Sequence, residues 1–99
     1  MLTVEKREEG STITLELEGK LDTATAPELD EKIVACGDNF DELILDFTKL
    51  NYISSAGLRV LLKTLQDMHE GGEFTITNVN PDIMDIFEVT GFNDILNIK

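Results

Sequence analysis

The chain has 99 residues and a mass of 11.0 kDa, which predicts one domain over residues 1–99, because independent domains rarely run far below about 50 residues. Eight Lys and Arg against 20 Asp and Glu give a formal net charge of −12, and such a surface repels phosphate backbones and anionic headgroups. Nucleic acid and membrane surfaces are therefore poor partners. The lone cysteine, Cys36, excludes an internal disulfide. No Cys/His cluster has metal-ligand spacing, and there is neither a secretory leader pattern nor an apolar run of about 20 residues. These features predict a folded cytoplasmic domain with no membrane insertion and no metal.

In chain order, Leu2 to Glu8 and Thr12 to Glu18 form a predicted β-hairpin turning at Gly10, with Ile13, Leu15 and Leu17 on the buried side of a period-two alternation. Thr25, Pro27 and Glu28 then read as a cap, a first-turn proline and a capping-box partner. They start a helix that runs to about Cys36, with Leu29, Ile33 and Cys36 as its apolar stripe and Gly37 as its stop. The continuous apolar run Leu43 to Phe47 predicts a strand covered on both faces. Leu58, Leu61, Leu62, Leu65 and Met68 give the strongest helical stripe, which ends at Gly71-Gly72. Phe74 and Ile76 mark a further strand. Asn80-Pro81-Asp82 opens a short helix with Ile83, Ile86 and Phe87 inward and Gly91 at its end, and Ile95 to Ile98 forms a last strand. The order is ββαβαβαβ. It predicts an α/β domain with a mixed sheet, antiparallel at its N-terminal edge strand and largely parallel elsewhere, backed by helices.

Two predicted loops at the carboxyl ends of parallel strands, Gly19 to Thr25 and Lys49 to Arg59, are the places for chemistry. In the second, Ser54 and Ser55 stand beside the unpaired N–H groups and positive dipole end of the following helix. One serine serves as an N-cap, or one accepts a phosphoryl group whose charge the helix end tolerates; the two roles are compatible. Ser-Ser-Ala-Gly-Leu-Arg has a single glycine and no Gly-Lys-Ser/Thr ending, so it is not a P-loop. His69, in the last turn of the long helix, is a dipole partner and not a catalytic base. Asp22 and Asp46 brace their loops, and Cys36 packs as a small apolar residue.

Nearly the whole chain resembles the STAS domain of bacterial anti-sigma factor antagonists. The resemblance rests on Glu18-Gly19-Lys20-Leu21-Asp22 with Thr25-Ala26-Pro27-Glu28-Leu29, the Leu43 to Phe47 strand, Tyr52-Ile53-Ser54-Ser55-Ala56-Gly57-Leu58, Asn78-Val79, and Val89-Thr90-Gly91-Phe92. It implies a phosphoacceptor two residues before the motif glycine, which is Ser55. The preceding position, often aspartate in the family, is Ser54 here and stands as the alternative acceptor. Asp22 matches the acidic residue that lies beside the acceptor and supports recognition by the kinase.

The resemblance further implies a non-enzymatic binding module without a cofactor. Its partners would be an anti-sigma factor with serine kinase activity and a serine phosphatase that acts on the phosphorylated form. The implied partner surface comprises Asp22, Thr23, Thr25, Tyr52, Ser54, Ser55, Gly57, Leu58 and Arg59; Arg59, one helical turn beyond Ser55, is placed either to pair with a phosphate there or to bond a partner carboxylate, the latter being the preferred reading. Docking would free a sigma factor, and phosphorylation would end the docking. The alternative function is a STAS-domain structural subunit of a transporter or signalling complex with no phosphorylation switch. A nucleotide-binding role ranks below both, because few basic groups are present to offset phosphates.

Overall fold

A computed structural model describes all residues from Met1 to Lys99. Strands β1 (Leu2–Glu9) and β2 (Thr12–Leu21) form the expected antiparallel hairpin. Helix α1 (Ala26–Ala35), strand β3 (Glu42–Ile53), helix α2 (Ser55–Asp67), strand β4 (Glu73–Thr77), helix α3 (Pro81–Thr90), a single 3-10 turn (Phe92–Asp94) and strand β5 (Asn97–Ile98) follow. The sheet order is β1-β2-β3-β4-β5, with every pair after the first parallel. The expected mixed sheet and ββαβαβαβ order are therefore both present.

A strand order that never reverses has a physical consequence. Each parallel step moves the same way across the sheet, and right-handed crossovers then put every connecting helix on the same face. The core lies between that face and the helices, with Leu15, Leu17, Leu45, Phe47, Ile76 and Phe87 among its fully buried members. The expectation that Leu43 to Phe47 is covered on both faces is thus corrected. Leu43, Leu45 and Phe47 are buried, while the alternating Ile44 and Asp46 are only half-buried, because no second layer of helices exists to cover them. The open face is tiled by polar contacts instead. Glu42 accepts from the Thr75 hydroxyl at 3.2 Å, Asp46 from Asn78 at 3.1 Å, and Glu16 approaches Lys49 at 3.4 Å.

β3 is much longer than its apolar run. Relative to β2 it carries two register shifts: Glu16 pairs with Asp46 but Glu18 with Lys49, and Gly19 pairs with Leu50 but Lys20 with Tyr52. Each shift is an extra residue in β3, a bulge that interrupts the alternation, so the buried positions run Phe47, Leu50, Ile53 at intervals of three. Lys49 to Ile53 and Gly19 to Leu21 are therefore strand and not loop. Gly19 sits at φ +107°, where a Cβ would also overlap the Met1 carbonyl oxygen, so only glycine lets the start of β1 lie against β2.

Three local expectations change. Thr25 precedes α1 but makes no side-chain cap bond, and Glu28 contributes only its amide, to the Thr25 carbonyl at 3.0 Å, so no capping box forms. Helix α2 buries Leu58, Val60, Leu61 and Thr64, with Leu65 and Met68 packed against the core and Leu62 outside it. It ends at Asp67, which places His69 beyond the helix, edge-on to Phe40 at 5.5 Å between ring centres, rather than at the helix dipole. The last strand is only Asn97–Ile98, since the chain closes through the 3-10 turn and leaves Ile95 about half exposed.

Candidate functional site

β2 and β3 end side by side. Leu21 is in register with Ile53, and the Ser54 amide donates to the Leu21 carbonyl at 2.9 Å. The two segments that leave them, Asp22–Thr25 and Ser54–Gly57, are consequently neighbours at one end of the sheet, each opening a helix.

The first segment is braced by its own aspartate. Asp22 Oδ1 accepts from the Ala24 and Thr25 amides, both at 3.0 Å, and lies 3.1 Å from the Thr25 hydroxyl. The Thr25 hydroxyl donates to the Lys20 carbonyl at 2.8 Å and accepts from the Asp22 amide at 2.9 Å. The Thr25 amide, followed by its hydroxyl and the Ala24 amide, favours the ionised form and holds the Asp22 carboxyl below the usual range. Asp22 is therefore a fixed negative charge at neutral pH, half-buried at the base of the turn, with Thr23 exposed above it.

The second segment gives the two serines different tasks. Ser54, extended at φ −102° and ψ 177°, is the N-cap of α2; its carbonyl takes the Leu58 amide at 3.0 Å and its Oγ faces the Gly57 amide at 3.5 Å. Ser55 is the first helical residue. Its side chain is exposed and its hydroxyl enters no hydrogen bond within the chain. The first-turn amides around it have no acceptor in the helix, and no acidic residue occupies that turn, so the positive end of the dipole is uncompensated there.

Gly57 and Leu58 are buried and supply little surface. A Cβ on Gly57 would stand 2.8 Å from Ile53 Cγ1 and 2.8 Å from Leu21 Cγ, so the glycine lets the first turn of α2 sit directly on the paired strand ends. Thr25 is likewise buried and acts through its bonds to Asp22 and Lys20. The side chains that project are Thr23, Tyr52 at 46% exposure, Ser55 and Arg59. Arg59, one turn beyond Ser55 on the same helix face, has no ion-pair partner in the chain. One exposed residue of the first loop was not placed on the implied partner surface: Lys20, cross-strand neighbour of Tyr52. The alternation that continues past Gly19 to Leu21 was the available signal. Asp46 is held elsewhere, on the open sheet face. Burial pushes its carboxyl up, but bonds from Thr48 and Asn78 outweigh this and lower it, so Asp22 and Asp46 serve separate structural tasks.

A mixed sheet with helices on one face, and with two helix starts gathered at the carboxyl ends of its central strands, is an α/β domain of the STAS type. The chain belongs to the STAS domain family, whose profile matches residues 3–99. It is 26% identical over 99 residues to the anti-sigma-B factor antagonist of Bacillus subtilis, covering 99% of this chain and 91% of that one. Its fold matches the crystal structure of an anti-sigma factor antagonist from Mycobacterium paratuberculosis with a TM-score of 0.92, at 21% identity over 99% of this chain and 85% of that one. It also matches the phosphorylated form of the Bacillus cell fate determinant SpoIIAA, with a TM-score of 0.74 at 18% identity, covering 98% and 91% of the two chains.

Proposed function

We propose that this chain is a cytoplasmic anti-sigma factor antagonist. It docks through the Asp22–Thr25 turn, Tyr52 and the start of α2 onto an anti-sigma factor with serine kinase activity, and it is switched off by phosphorylation of Ser55. The observation that carries the reading is the division of labour between the serines. Ser54 is occupied as a cap, whereas Ser55 presents a free, exposed hydroxyl at an uncompensated helix N-terminus. The family relationship to anti-sigma factor antagonists and the fold shared with a phosphorylated relative support it.

In the transfer step, Ser55 Oγ attacks the γ-phosphorus of ATP held by the partner. The bond from that phosphorus to the bridging β,γ-oxygen breaks, ADP leaves, and the serine proton passes to a base on the kinase. The reverse switch is hydrolysis: water attacks the phosphoserine phosphorus, Ser55 recovers its proton, and inorganic phosphate is released by a serine phosphatase. Within this chain, the added charge of about −1.5 to −2 meets first-turn N–H groups, an arrangement worth about 0.3–1 kcal/mol at a helix end, so the fold is preserved. At the interface the same charge must be desolvated against a partner shaped for a neutral hydroxyl. An unpaired buried charge of that kind costs about 3–5 kcal/mol, which is the switch.

The test incubates the protein with its cognate kinase and ATP and maps the product by peptide mass spectrometry. One phosphoryl group is expected on Ser55, retained in Ser54→Ala and abolished in Ser55→Ala, with Ser55→Ala still bound to the kinase. Modification of Ser54 instead would move the acceptor. No modification, together with kinase-independent copurification with a membrane complex, would replace the switch with the structural-subunit reading.

A further inference from the structure

At the end of the domain opposite Ser55, a cavity of about 290 Å³ opens between the C-terminal halves of α1 and α2. Its lining on α2 runs from Lys63 to Asp67, which at a rise of about 1.5 Å per residue lies roughly 12–18 Å along the helix from Ser55. Its volume is close to the lower bound of small-molecule sites, about 300 Å³. Its apolar wall is made by Ile33, Phe40, Leu43 and Met68, of which Phe40 and Leu43 belong to the buried core. Its polar side is unequal in charge: Asp30, Asp38 and Asp67 face a single cation, Lys63. Lys63 is committed to Asp30 at 2.8 Å and reaches Asp67 only at 3.9 Å, so Asp38 has no partner and Asp67 is loosely held. His69 also lines the cavity, with its Nδ1 buried and without a hydrogen-bond partner, a state that buried polar atoms rarely keep.

We infer that this cavity is a binding site for a small organic cation, an aromatic or branched aliphatic body bearing one protonated amine. The body would fill the space against Phe40, Leu43 and Met68, and the ammonium group would lie at the mouth between Asp38 and Asp67. The shape sets the size of the body, and the surplus of carboxylates sets the sign of the head. An anionic ligand would meet Asp38 and Asp67 with only an already paired lysine in compensation, and a neutral one would leave the mouth unpaired.

The probes are three compounds of one shape: 2-phenylethylamine, 2-phenylethanol and 3-phenylpropionate. Each is titrated into the full chain labelled with nitrogen-15, and amide and imidazole shifts are followed by NMR. The amine should produce saturable shifts confined to residues 30–43 and 63–72, including the His69 ring, and should bind about fivefold more tightly than the alcohol, the upper range for an exposed ion pair. The propionate should bind most weakly. Asp38→Asn should bring the amine close to the alcohol. Val34→Arg, at a position 64% exposed on the cavity wall, should block the amine without changing the thermal midpoint. Equal binding of all three compounds, amine shifts unaffected by Asp38→Asn, or no saturable shift in that region would each overturn the proposal. None of these outcomes depends on Ser55.

Discussion

Gly57→Ala tests the seat on which Ser55, the proposed acceptor, rests. The new Cβ would meet Ile53 Cγ1 and Leu21 Cγ at 2.8 Å and Leu21 Cδ2 at 3.0 Å. Carbon pairs are comfortable at about 3.5–4.0 Å, so the overlap is close to 1 Å at two atoms. Leu21 and Ile53 are 0% and 2% exposed, and the crowded atoms lie one bond beyond Cβ, where a side chain cannot yield without changing its rotamer. Overpacking of this kind costs about 1–3 kcal/mol, and the better helix propensity of alanine returns at most about 1 kcal/mol. A net loss of about 1–2 kcal/mol should lower the thermal midpoint by roughly 5–10 °C in a domain of this size. The double variant with Leu21→Ala isolates the cause, because it deletes two of the three atoms in the way. Combining the changes should be less damaging than the sum of the single costs by about 1 kcal/mol or more. Additivity within about 0.5 kcal/mol, or a Gly57→Ala midpoint equal to or above wild type, would refute the steric argument. Phosphorylation of the folded Gly57→Ala protein should also be slowed, since α2 must lift from the strand ends and carry Ser55 with it.

Two further predictions concern the first turn and the hairpin. Asp22 has a folded-state pKa below its ordinary 3.8, so its ionised form stabilises the fold above that value, and the contribution is lost as pH falls from there through the lowered folded value. The urea midpoint of wild type should therefore fall in acid more steeply than that of Asp22→Asn, and parallel acid limbs would show that the carboxylate does not brace the turn. Gly19→Ala should cost at least about 2 kcal/mol, because it combines a disfavoured φ with overlap on the Met1 backbone. It should also release the Lys20 amide, which donates to the Met1 carbonyl at 3.1 Å, so that its hydrogen exchange accelerates; unchanged Lys20 protection would contradict that account.

Strand β2, the three helices and β4 were legible from their apolar periods, β1 was legible only as the segment leading into the Gly10 turn, and the Ser-Ser-Ala-Gly element was legible because serines before a glycine mark a helix start. What failed is equally specific. The end of β3 read as loop because its two bulges convert a spacing of two into a spacing of three at Phe47, Leu50 and Ile53, which matches neither strand nor helix. The continuous run Leu43 to Phe47 suggested two buried faces, but Ile44 is only half-buried on the open side and Asp46 is bonded to its neighbours there. Coverage of a face is a property of strand order, which no local window contains. Thr25 looked like a cap because its hydroxyl is near a helix start, yet that hydroxyl is committed to the Lys20 carbonyl and the Asp22 amide, and the Glu28 amide a cap would bind goes to the Thr25 carbonyl instead.

The same bulges explain why the site lies where it does. Across the paired stretch from Glu16 to Leu21, β3 uses two more residues than β2, yet both strands finish level at Leu21 and Ile53. Without that surplus, the chain would leave β3 out of step with β2, and Ser54 could not donate to the Leu21 carbonyl while Gly57 rested on the Leu21 side chain. The monotonic strand order supplies no cleft of the kind that forms where a doubly wound sheet reverses its order, and this end of the sheet pairs side chains bonded within the chain, Asp22, Thr25 and Ser54, with ones that project, Thr23, Tyr52, Ser55 and Arg59. Under the proposed function, such a surface would be recognised by another protein, with the chemistry of transfer carried by that partner. On the same proposal, the free Ser55 hydroxyl would be enough to make the contact reversible, because modifying it would change the surface without disturbing the bonds that hold Asp22, Thr25 and Ser54 in place.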